Sequence, residues 1–509
     1  MSKAGLIKLM ALTLIAALCL GGCAKDAQLS AGNADILLPE PADSAPRQIM
    51  GDERAERGYE VTLHYASQDA LTLSTVTRSL QLGQNENIIE RTLEALIDSA
   101  SLSGAVEAEI EQVEIGSGIV SINLSLEAAV NRSDQDYLLL CTSIANTLLQ
   151  FEDVEAVNIL TGSRSDPVCR LPMGAFVVAQ DNIAALYAQL QSESERFPSE
   201  RGGSLSRNVL LYFPAQDGKH VLPEVRELIF TSDDYASEII RALSDGPLMR
   251  SCSSTILPGN PDFLEEAPSL TVTEAGERIL ELRFSSTLTN YLEFAGLADW
   301  QLYACVVLTL CSFIPEIDAV RFYVDQQSVD VCSMGERTLS FEDGLMRRND
   351  FSSTIGSSSH LYFASGNAKL ARVEYPMARH TAASPLNLIR ELISAQPLSG
   401  SDARSVFPEG VGPGDVLGLS LDGQTATVNL SANFYACCQS ISALQERQLV
   451  YAMVNTLAEL EQIDAVTFLV EGETLKHLAQ DIYMGAALLP DPGLIETGYA
   501  AEAAEDDFP

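Results

Sequence analysis

The tetrapeptide Val428-Asn429-Leu430-Ser431 belongs to a pattern that decides the fold of this chain. Its apolar and polar side chains alternate, which predicts a strand with one face in the core. The closing serine is suited to turn the chain out of that strand. Two related tetrapeptides precede it at intervals of about 150 residues, which indicates a unit present in three copies. They are Ile122-Asn123-Leu124-Ser125 and Leu282-Arg283-Phe284-Ser285.

A long helix and a final strand follow each tetrapeptide. The helix is predicted from apolar residues at positions i, i+3, i+4 and i+7, which form one stripe. The final strand is almost entirely apolar, at 157–160, 320–324 and 466–470, and this pattern favours a central strand covered on both faces. The three stripes are Cys141, Ile144, Ala145, Leu148 and Phe151; Tyr303, Val306, Val307, Leu310 and Phe313; and Val450, Met453, Val454, Leu457 and Leu460.

Two kinds of polar residue recur within or beside these stripes. Cys141 occupies the stripe position of Tyr303 and Val450, which favours a small buried hydrophobe over a reactive thiol. A threonine also recurs in each helix, and its hydroxyl is predicted to bond the preceding helical turn. These threonines are Thr147, Thr309 and Thr456.

Three further segments precede each tetrapeptide. They are an opening strand, a short helix that ends in a turn, and a candidate strand just before the tetrapeptide. Each unit is therefore predicted to be an α/β fold, an α+β sandwich in which a mixed sheet packs against two helices. The opening strands are 61–65, 209–213 and 361–363; the helix ends are 94–98, 241–245 and 391–395; and the candidate strands are 113–115, 270–272 and 416–419.

The repeated unit resembles the GerMN domain, which occurs in sporulation and germination lipoproteins of spore-forming bacteria. The resemblance lies in the opening strand, the helix end, the tetrapeptide strand and the helix–strand closure. The third copy is most similar, with Phe407-Pro408-Glu409-Gly410 in place of the family's Pro–Gly turn. The second copy keeps Pro258-Gly259 but has a longer insertion at 260–270, and the first copy lacks both the turn and the helix-ending Gly-Pro.

This resemblance implies three tandem GerMN-like repeats and a role in sporulation or spore germination. GerM-like proteins are thought to support assembly of the channel complex between mother cell and forespore, and their fold is similar to the ring-building motifs of that complex. The resulting domain prediction is a signal peptide at 1–22, a lipid-anchored linker at 23–57, repeat 1 at 58–175, a linker at 176–204, repeat 2 at 205–340, a linker at 341–358, repeat 3 at 359–490 and an acidic tail at 491–509.

The N-terminus has the pattern of an exported lipoprotein. Lys3 and Lys8 precede a short apolar run, Leu9–Leu20, that is too short to span a bilayer. The sequence Leu20-Gly21-Gly22-Cys23 resembles a bacterial lipobox, which predicts cleavage before Cys23 and lipid on its sulfur. The alternative is an ordinary signal peptide in which Cys23 is incidental. No later stretch of the sequence predicts a second membrane anchor.

The charge of the chain restricts its partners. There are 70 acidic and 31 basic side chains, which gives a formal charge of −39. Removal of residues 1–22 takes away Lys3 and Lys8, so that −39 becomes −41. Such a charge disfavours nucleic acids and anionic headgroups, because both require a basic surface. Partners with basic faces are expected instead.

The sequence predicts no catalytic, cofactor-binding or metal-binding residue. The glycine-rich run 410–414 lacks the features of a phosphate loop, because Pro413 has no amide donor and no Lys-Ser/Thr follows. The eight cysteines that follow Cys23 contain no CxxC pair, and free buried thiols are slightly favoured over a disulfide framework. The scattered histidines are His64, His220, His360, His380 and His477. The cysteines are Cys141, Cys169, Cys252, Cys305, Cys311, Cys332, Cys437 and Cys438.

These observations favour a non-enzymatic lipoprotein at the outer face of the cytoplasmic membrane. We expect it to bind envelope or sporulation-complex proteins, to contact the membrane through lipid on Cys23, and to bind no nucleic acid. Contact with peptidoglycan is left open. One alternative is a peptidoglycan-associated cell-wall enzyme or accessory protein, which would need a site in at least one copy. The other is a lipid-anchored solute receptor, which would need two lobes around a cleft.

Overall fold

Three similar units follow one another along the chain. The computed structural model describes residues 57–496 with short gaps. We define unit 1 as residues 57–197, unit 2 as residues 205–355 and unit 3 as residues 356–496. In every unit a long helix packs against both an antiparallel hairpin and a second, mixed sheet. The gaps are 68–70, 83–86, 101–108, 129–131, 198–202, 254, 260–262, 316, 336, 399–401, 461 and 480–481.

Unit 1 contains five strands and three helices among its described residues. Its last helix, α3, lies in the segment interpreted above as a linker, and its buried Ile183 and Leu190 pack into the core of unit 1. The elements are β1 (Arg57–Ala66), β2 (Leu73–Leu82), α1 (Ile88–Ala100), β3 (Ile110–Gly116), β4 (Ile119–Leu124), α2 (Asp134–Leu148), β5 (Ala156–Thr161) and α3 (Ile183–Arg196).

Unit 2 has the largest core of the three. Its elements are β6 (Leu205–Pro214), β7 (Val221–Phe230), α4 (Tyr235–Ser244), β8 (Ser269–Val272), β9 (Arg278–Phe284), α5 (Ser286–Ala295), α6 (Asp299–Phe313), β10 (Ala319–Val324), β11 (Gln327–Ser328), β12 (Val331–Met334), β13 (Arg337–Ser340), β14 (Leu345–Met346) and α7 (Arg348–Phe351).

Unit 3 repeats the order of elements. These are β15 (Gly356–Ala364), β16 (Leu370–Ala378), α8 (Arg379–Ala382), α9 (Pro385–Ser394), β17 (Val416–Asp422), β18 (Thr425–Leu430), α10 (Ala432–Cys438), α11 (Ala443–Leu457), β19 (Ala465–Val470) and β20 (Glu473–Thr474).

The tetrapeptide strand is the middle strand of each mixed sheet. In unit 3, β18 pairs antiparallel with β17 and parallel with β19, and Val428 lies opposite Phe468. The same arrangement joins β3, β4 and β5 in unit 1 and β8, β9 and β10 in unit 2. A parallel pair needs a crossover, which the long helices α2, α6 and α11 supply. The predicted mixed α/β repeat is confirmed, including the candidate strand before each tetrapeptide.

Each opening strand belongs to a hairpin whose second strand the sequence analysis missed. β1 pairs with β2, β6 with β7, and β15 with β16, all antiparallel. The second strand is hard to recognise because most of its outer residues are polar and exposed, as are Ser74, Thr75 and Thr77 of β2. The opening strands themselves are confirmed.

One threonine of each long helix joins that helix to the opening strand. In every unit its hydroxyl accepts a hydrogen bond from a backbone N–H in the strand, a contact that the sequence analysis missed when it assigned the hydroxyl to its own helix. The pairs are His64 N to Thr147 Oγ1 at 3.0 Å, Tyr212 N to Thr309 Oγ1 at 3.0 Å, and Tyr362 N to Thr456 Oγ1 at 3.3 Å.

The last strand is covered on both faces only in unit 1. All six residues of β5 are buried, whereas Arg321 in β10 and Thr467 in β19 are half-buried. Arg321 pairs with Glu281 across the open face of its sheet, at 3.2 Å. The prediction of double coverage is therefore wrong for units 2 and 3. Their helices cover one face, and only unit 1 has its second face covered, by residues of unit 2.

The segment 341–358, interpreted above as a linker, contributes to the core of unit 2. In β14, Met346 lies opposite Val320 of β10. Met346 and Phe351 are completely buried, and the rings of Phe341 and Phe351 lie 5.8 Å apart. Apolar burial of this extent holds the segment firmly against unit 2.

None of the described helices is by itself long and apolar enough to span a membrane. α5 and α6 meet that criterion only as a pair, and their axes are bent by 110° at the break between them. Residues Trp300–Phe313 of α6 are all buried in the core of unit 2. The apolar character of this helix therefore follows from its position in the core.

Candidate functional site

The three units meet at a group of hydroxyl and carboxylate side chains. The hydroxyl of Ser117 in unit 1 accepts a hydrogen bond from the N–H of Ser358 in unit 3, at 3.1 Å. Ser251 in unit 2 donates to Oε1 of Glu374 in unit 3, at 2.9 Å. Ser358 donates to the same carboxylate oxygen, also at 2.9 Å. The hairpin of unit 3 thus binds both of the other units.

Two glycines allow close contacts between units. A Cβ on Gly116 would lie 3.0 Å from the Cβ of Ser357, and one on Gly174 would lie 2.5 Å from the carbonyl oxygen of Asn208. Gly174 also has a φ of +69°, and the N–H of the next residue, Ala175, donates to Asn208 O at 2.8 Å. The Met173-Gly174 turn is therefore a contact between units 1 and 2.

A buried ion pair also joins units 1 and 2. Nη1 of Arg348 lies 3.1 Å from Oε1 of Glu114, and its Nη2 lies 2.5 Å from Oε2. The guanidinium also donates from Nε to Ser312 Oγ at 3.1 Å, and from Nη2 to the Tyr212 hydroxyl at 3.4 Å. The side chains of Arg348 and Glu114 are 1% and 6% exposed.

The surroundings of Arg348 keep it charged. Burial alone would lower the pKa of this guanidinium, but Tyr212 and Glu114 raise it above its ordinary value. Burial raises the pKa of Tyr212, which therefore stays a neutral phenol. Removing one member of a buried pair leaves an uncompensated charge and costs about 3–5 kcal/mol. The pair therefore specifies how unit 1 is oriented on unit 2.

A cleft of about 690 Å³ lies beside these contacts and is lined by all three units. Its lining is rich in carboxylates, and partial burial together with Glu152 and Glu459 raises the pKa of Asp153. The cleft therefore concentrates negative charge. Its acidic residues are Glu152, Asp153, Glu155, Glu224, Glu374 and Glu459, and its basic residues are His360, Arg372 and Arg379.

Glu459 is the most strongly bound of these carboxylates. Arg372 donates to it from Nε and Nη2 at 2.9 and 2.7 Å, Tyr362 donates its phenol proton, and His360 Nδ1 lies 3.3 Å away. Burial raises the pKa of Glu459, but the hydrogen bonds from His360, Arg372 and Tyr362 outweigh it and lower the pKa to about 2. This carboxylate is ionised at neutral pH and fully engaged within unit 3, which suits a structural role.

The structure keeps the histidines apart. His64 lies in β1 at the position of Tyr212 and Tyr362, and His220 pairs with Asp217 at 2.5 Å in the turn between β6 and β7. His360 contacts Glu459, and the exposed His380 and His477 lie in α8 and beyond β20. The predicted lipid-attachment residue Cys23 lies outside the described residues.

The glycine-rich run and the cysteines have local structural roles. The N–H of Gly412 donates to the Asp415 carboxylate at 2.8 Å, and Ser431 also donates to that carboxylate at 2.6 Å. The eight cysteines after Cys23 are free thiols, and all except Cys437 are buried. In the part of the chain that the structure describes, no group of three or more His, Cys, Asp or Glu side chains is arranged to hold a metal ion.

The sequence analysis missed the residues that join the units. Arg347-Arg348 stands out within a serine-rich segment, but its partner Glu114 lies 234 residues earlier. Glu374 and Glu459 resemble the other carboxylates of an acidic chain. Arg348 lies in the polar run Arg347–Asp350 between Met346 and Phe351, so the sequence around it carries no signal that it is buried.

Comparison with known protein families gives a match that covers all three units. The family model described as Germane, sporulation and spore germination, matches residues 62–165, 210–330 and 360–476. These regions amount to about two thirds of the chain and include the hairpin, long helix and mixed sheet of each unit. No curated protein matches the chain.

Solved structures with low sequence identity also match. The tandem GerMN domains of the sporulation protein GerM from Bacillus subtilis are 16% identical, with 56% of this chain and 98% of that chain covered and a TM-score of 0.23. The first GerMN domain of the same protein is 21% identical over 26% of this chain and 96% of that chain, with a TM-score of 0.22. A putative lipoprotein from Clostridium perfringens is 20% identical over 25% and 85%, with a TM-score of 0.15.

Proposed function

Since the chain belongs to the Germane family, which is described by sporulation and spore germination, we propose that it binds partner proteins of the spore-forming cell without catalysis. The family is described by a biological process and not by a reaction. The three units repeat one α/β fold, and repeated binding modules gain strength because later contacts become intramolecular. We propose that the partners belong to a complex that assembles in the envelope during sporulation or germination.

The observation that carries this proposal is the junction of the three units. Buried or half-buried polar contacts fix each unit against the others, from the Glu114–Arg348 pair to the Ser251–Glu374 hydrogen bond. A body of this kind presents several surfaces in fixed relative positions. Preorganised surfaces lose less conformational entropy on binding than flexibly linked modules do. A scaffold that orients partners uses this property directly.

We also propose that Cys23 carries lipid and holds the protein at the outer face of the cytoplasmic membrane. The lipobox-like sequence Leu20-Gly21-Gly22-Cys23 supports this proposal. Lipid anchoring rests on burial of acyl chains, so no apolar surface on the folded units is needed for it. Replacement of Cys23 by Ser is expected to move the protein from the membrane fraction to the soluble fraction. Retention of the Cys23→Ser protein in membranes would contradict this anchor.

The test of the binding function uses a deletion strain and the intact protein. The strain is expected to be defective in sporulation or germination, and the intact chain is expected to capture envelope proteins from sporulating cells. Incubation of the same protein with peptidoglycan is expected to release no product. Normal sporulation and germination of the deletion strain, or turnover abolished by one side-chain substitution, would overturn the proposal.

One observation favours a second candidate, a lipid-anchored solute receptor. The cleft of about 690 Å³ is large enough for a small ligand, and its lining combines carboxylates with His360, Arg372 and Arg379. Titration calorimetry with muropeptides separates the two candidates. Saturable binding that is lost in an Arg379→Gln variant would support the receptor, whereas no heat of binding supports the scaffold.

A further inference from the structure

The mixed sheet of unit 2 ends in an open edge at β8. All four residues of this strand, Ser269–Val272, are exposed, and among the described residues it pairs only with β9. The N–H of Thr273 donates to Glu277 O at 2.9 Å in the turn that follows. Because hydrogen-bonded pairs alternate along an antiparallel ladder, the backbone groups of Leu270 and Val272 point away from β9. They form an unoccupied row of donors and acceptors.

An apolar groove runs beside this edge. Leu270 and Val272 are 52% and 63% exposed, although they lie on the sheet face that the helices cover. Leu270 borders a depression of about 260 Å³ between β8 and the helices α4 and α6. The apolar and aromatic residues that line it are Tyr235, Ala236, Pro268, Leu270, Leu280, Ile314 and Ile317. The depression can hold apolar side chains from a strand added to β8.

The rim of the groove is acidic. Asp233 and Asp234 line one end, and no lysine or arginine is among the described lining residues. Glu265 and Glu274 are exposed on the segments that flank β8, whereas Glu266 is paired with Arg283 at 3.5 Å. Asp234 caps α4 by accepting the N–H of Ser237 at 3.1 Å, so Asp233 is the less engaged of the two aspartates. An approaching strand meets negative charge at the groove, and complementary charge favours a basic strand.

The corresponding edge strands of the other units, β17 and β3, are less exposed than β8. In unit 3, α9 packs on β17, and Arg390 Nη2 donates to the carbonyl oxygen of Val416 at 2.8 Å. In unit 1, β3 packs against β15 of unit 3, next to the Ser117–Ser357 hydrogen bond. In unit 2 the residue corresponding to Arg390 is the buried Ile240, which has no side-chain donor. Of these three edge strands, β8 is the one whose residues are all exposed.

We propose that β8 is a docking strand for an extended basic segment of a partner protein. The segment adds antiparallel or parallel to the edge of the sheet, inserts apolar side chains beside Leu270, and places basic side chains near Asp233 and Asp234. This is recognition by strand addition, in which backbone hydrogen bonds supply affinity and the groove supplies selectivity. The inference rests on the proposed protein-binding function and identifies one surface and one kind of partner for it.

The test measures binding of labelled synthetic peptides to the full chain in detergent by fluorescence anisotropy. The first probe is an acetylated, amidated peptide of alternating valine and lysine, and the second alternates valine and glutamate. We expect the basic peptide to bind at least about tenfold more tightly than the acidic one, and its binding to weaken as salt is raised. Equal binding of the two peptides, or no binding of the basic one, overturns the proposal.

Three variants locate the binding site. Val272→Pro removes an N–H that points away from β9, so the ladder of the sheet is kept while the docking edge loses a donor. Leu270→Lys places a charge at the edge and repels a basic strand. Both are expected to weaken binding of the basic peptide about tenfold or more. Val331→Lys is the matched control, because Val331 is 53% exposed but lies in β12, and it is expected to bind normally.

Thermal unfolding by circular dichroism shows whether each variant is folded. Unchanged peptide binding in the folded variants Val272→Pro and Leu270→Lys overturns the proposal. If the chain self-associates and Val272→Pro abolishes this self-association, a second copy occupies β8, and the proposal is overturned as well. The outcomes for the two proposals are separate. If the variants still capture envelope partners but no peptide binds, only the proposed β8 site is overturned. If the deletion strain has no sporulation or germination defect, the proposed function is overturned, whether or not the peptides bind.

Discussion

Two tyrosines at equivalent positions of units 2 and 3 have opposite roles. Tyr212 in β6 accepts a hydrogen bond from Arg348, whose guanidinium is paired with Glu114 of unit 1. Tyr362 in β15 donates to Glu459, whose carboxylate is paired with Arg372 of the same unit. The repeated fold thus presents the same phenol to a contact between units in one case and to a contact within a unit in the other.

The difference shows how three similar units become one body. The backbone of each repeat is set by its hairpin, helix and mixed sheet, which the three units share. The contacts between units come from residues that are not repeated, such as Arg348 and Glu114. Their burial also differs, because the Arg348 side chain is 1% exposed and the Arg372 side chain is 45% exposed. The two ion pairs should therefore contribute different amounts to the free energy of unfolding.

The largest expected effect comes from the buried pair. Replacement of Arg348 by Met leaves the Glu114 carboxylate buried without its partner, and we expect a loss of about 3–5 kcal/mol in the free energy of unfolding. Urea unfolding followed by circular dichroism measures the loss. The equivalent test of the half-exposed pair, Arg372→Met, is expected to cost at most about 1 kcal/mol.

A double variant separates pairing from packing. Glu114→Leu combined with Arg348→Met removes both charges and fills the site with apolar atoms, so most of the stability lost in Arg348→Met should return. A double variant less stable than Arg348→Met, or a single variant that loses less than about 1 kcal/mol, would contradict the role given to this pair.

The second effect concerns the Met-Gly turns of units 1 and 2. Gly174 and Gly335 both have positive φ, +69° and +61°, but only Gly174 contacts another unit. An alanine at Gly335 meets open space and should cost about 1 kcal/mol of backbone strain. An alanine at Gly174 also collides with the backbone of Asn208, so we expect roughly 2–4 kcal/mol. Equal losses in thermal unfolding experiments on the two variants would show that the contact between units adds nothing.

The third effect depends on pH. Glu459 has a pKa of about 2 in the folded chain, below its ordinary value, so its ionised form stabilises unit 3 at pH values above the unfolded pKa. That contribution is lost as the pH falls through the folded pKa. Glu459→Gln is expected to cost about 1–2 kcal/mol at neutral pH, after allowance for solvent screening, and only a few tenths of a kcal/mol near about pH 2, where about half of the carboxylates are protonated.

Urea unfolding of wild type and variant between about pH 7 and about pH 2 checks this prediction. The exposed Glu274 provides the control, because Glu274→Gln should change stability little at any pH. A stability difference for Glu459→Gln that stays constant over this range would show that the carboxylate charge is not the cause.

Local patterns allowed much of the fold to be predicted from the sequence. The stripe of Tyr303, Val306 and Leu310 is fully buried in α6, and the tetrapeptide strand with its neighbours lies where alternation indicates. These features depend on spacing within a few residues, which a single sequence displays directly. The second hairpin strands escaped because polar outer residues such as Thr75 and Arg78 interrupt their apolar pattern.

The contacts between units could not be predicted in the same way. Glu114 and Arg348 are 234 residues apart, and nothing near either residue indicates the other. The open edge at β8 lacks the arginine that contacts β17 in unit 3, because Ile240 is the residue that corresponds to Arg390. Its significance appears only when the three units are compared as structures. Sequence patterns specify the repeat, while pairing over long distances specifies how the repeats are joined.

The smallest expected effect lies in the contact that all units share. Thr309 and Thr456 accept the backbone N–H groups of Tyr212 and Tyr362 at 3.0 and 3.3 Å. Replacement of either threonine by valine keeps the shape of the side chain but leaves a buried N–H without its acceptor, at a cost of about 1 kcal/mol. Because the helix–strand contact is the same in both units, Thr309→Val and Thr456→Val should lose equal stability in urea unfolding, and Thr309→Val should leave the Glu114–Arg348 pair intact. A loss at Thr309 several times that at Thr456 would mean that Tyr212 transmits strain from its strand to Arg348, and the division between repeated and joining contacts would no longer hold.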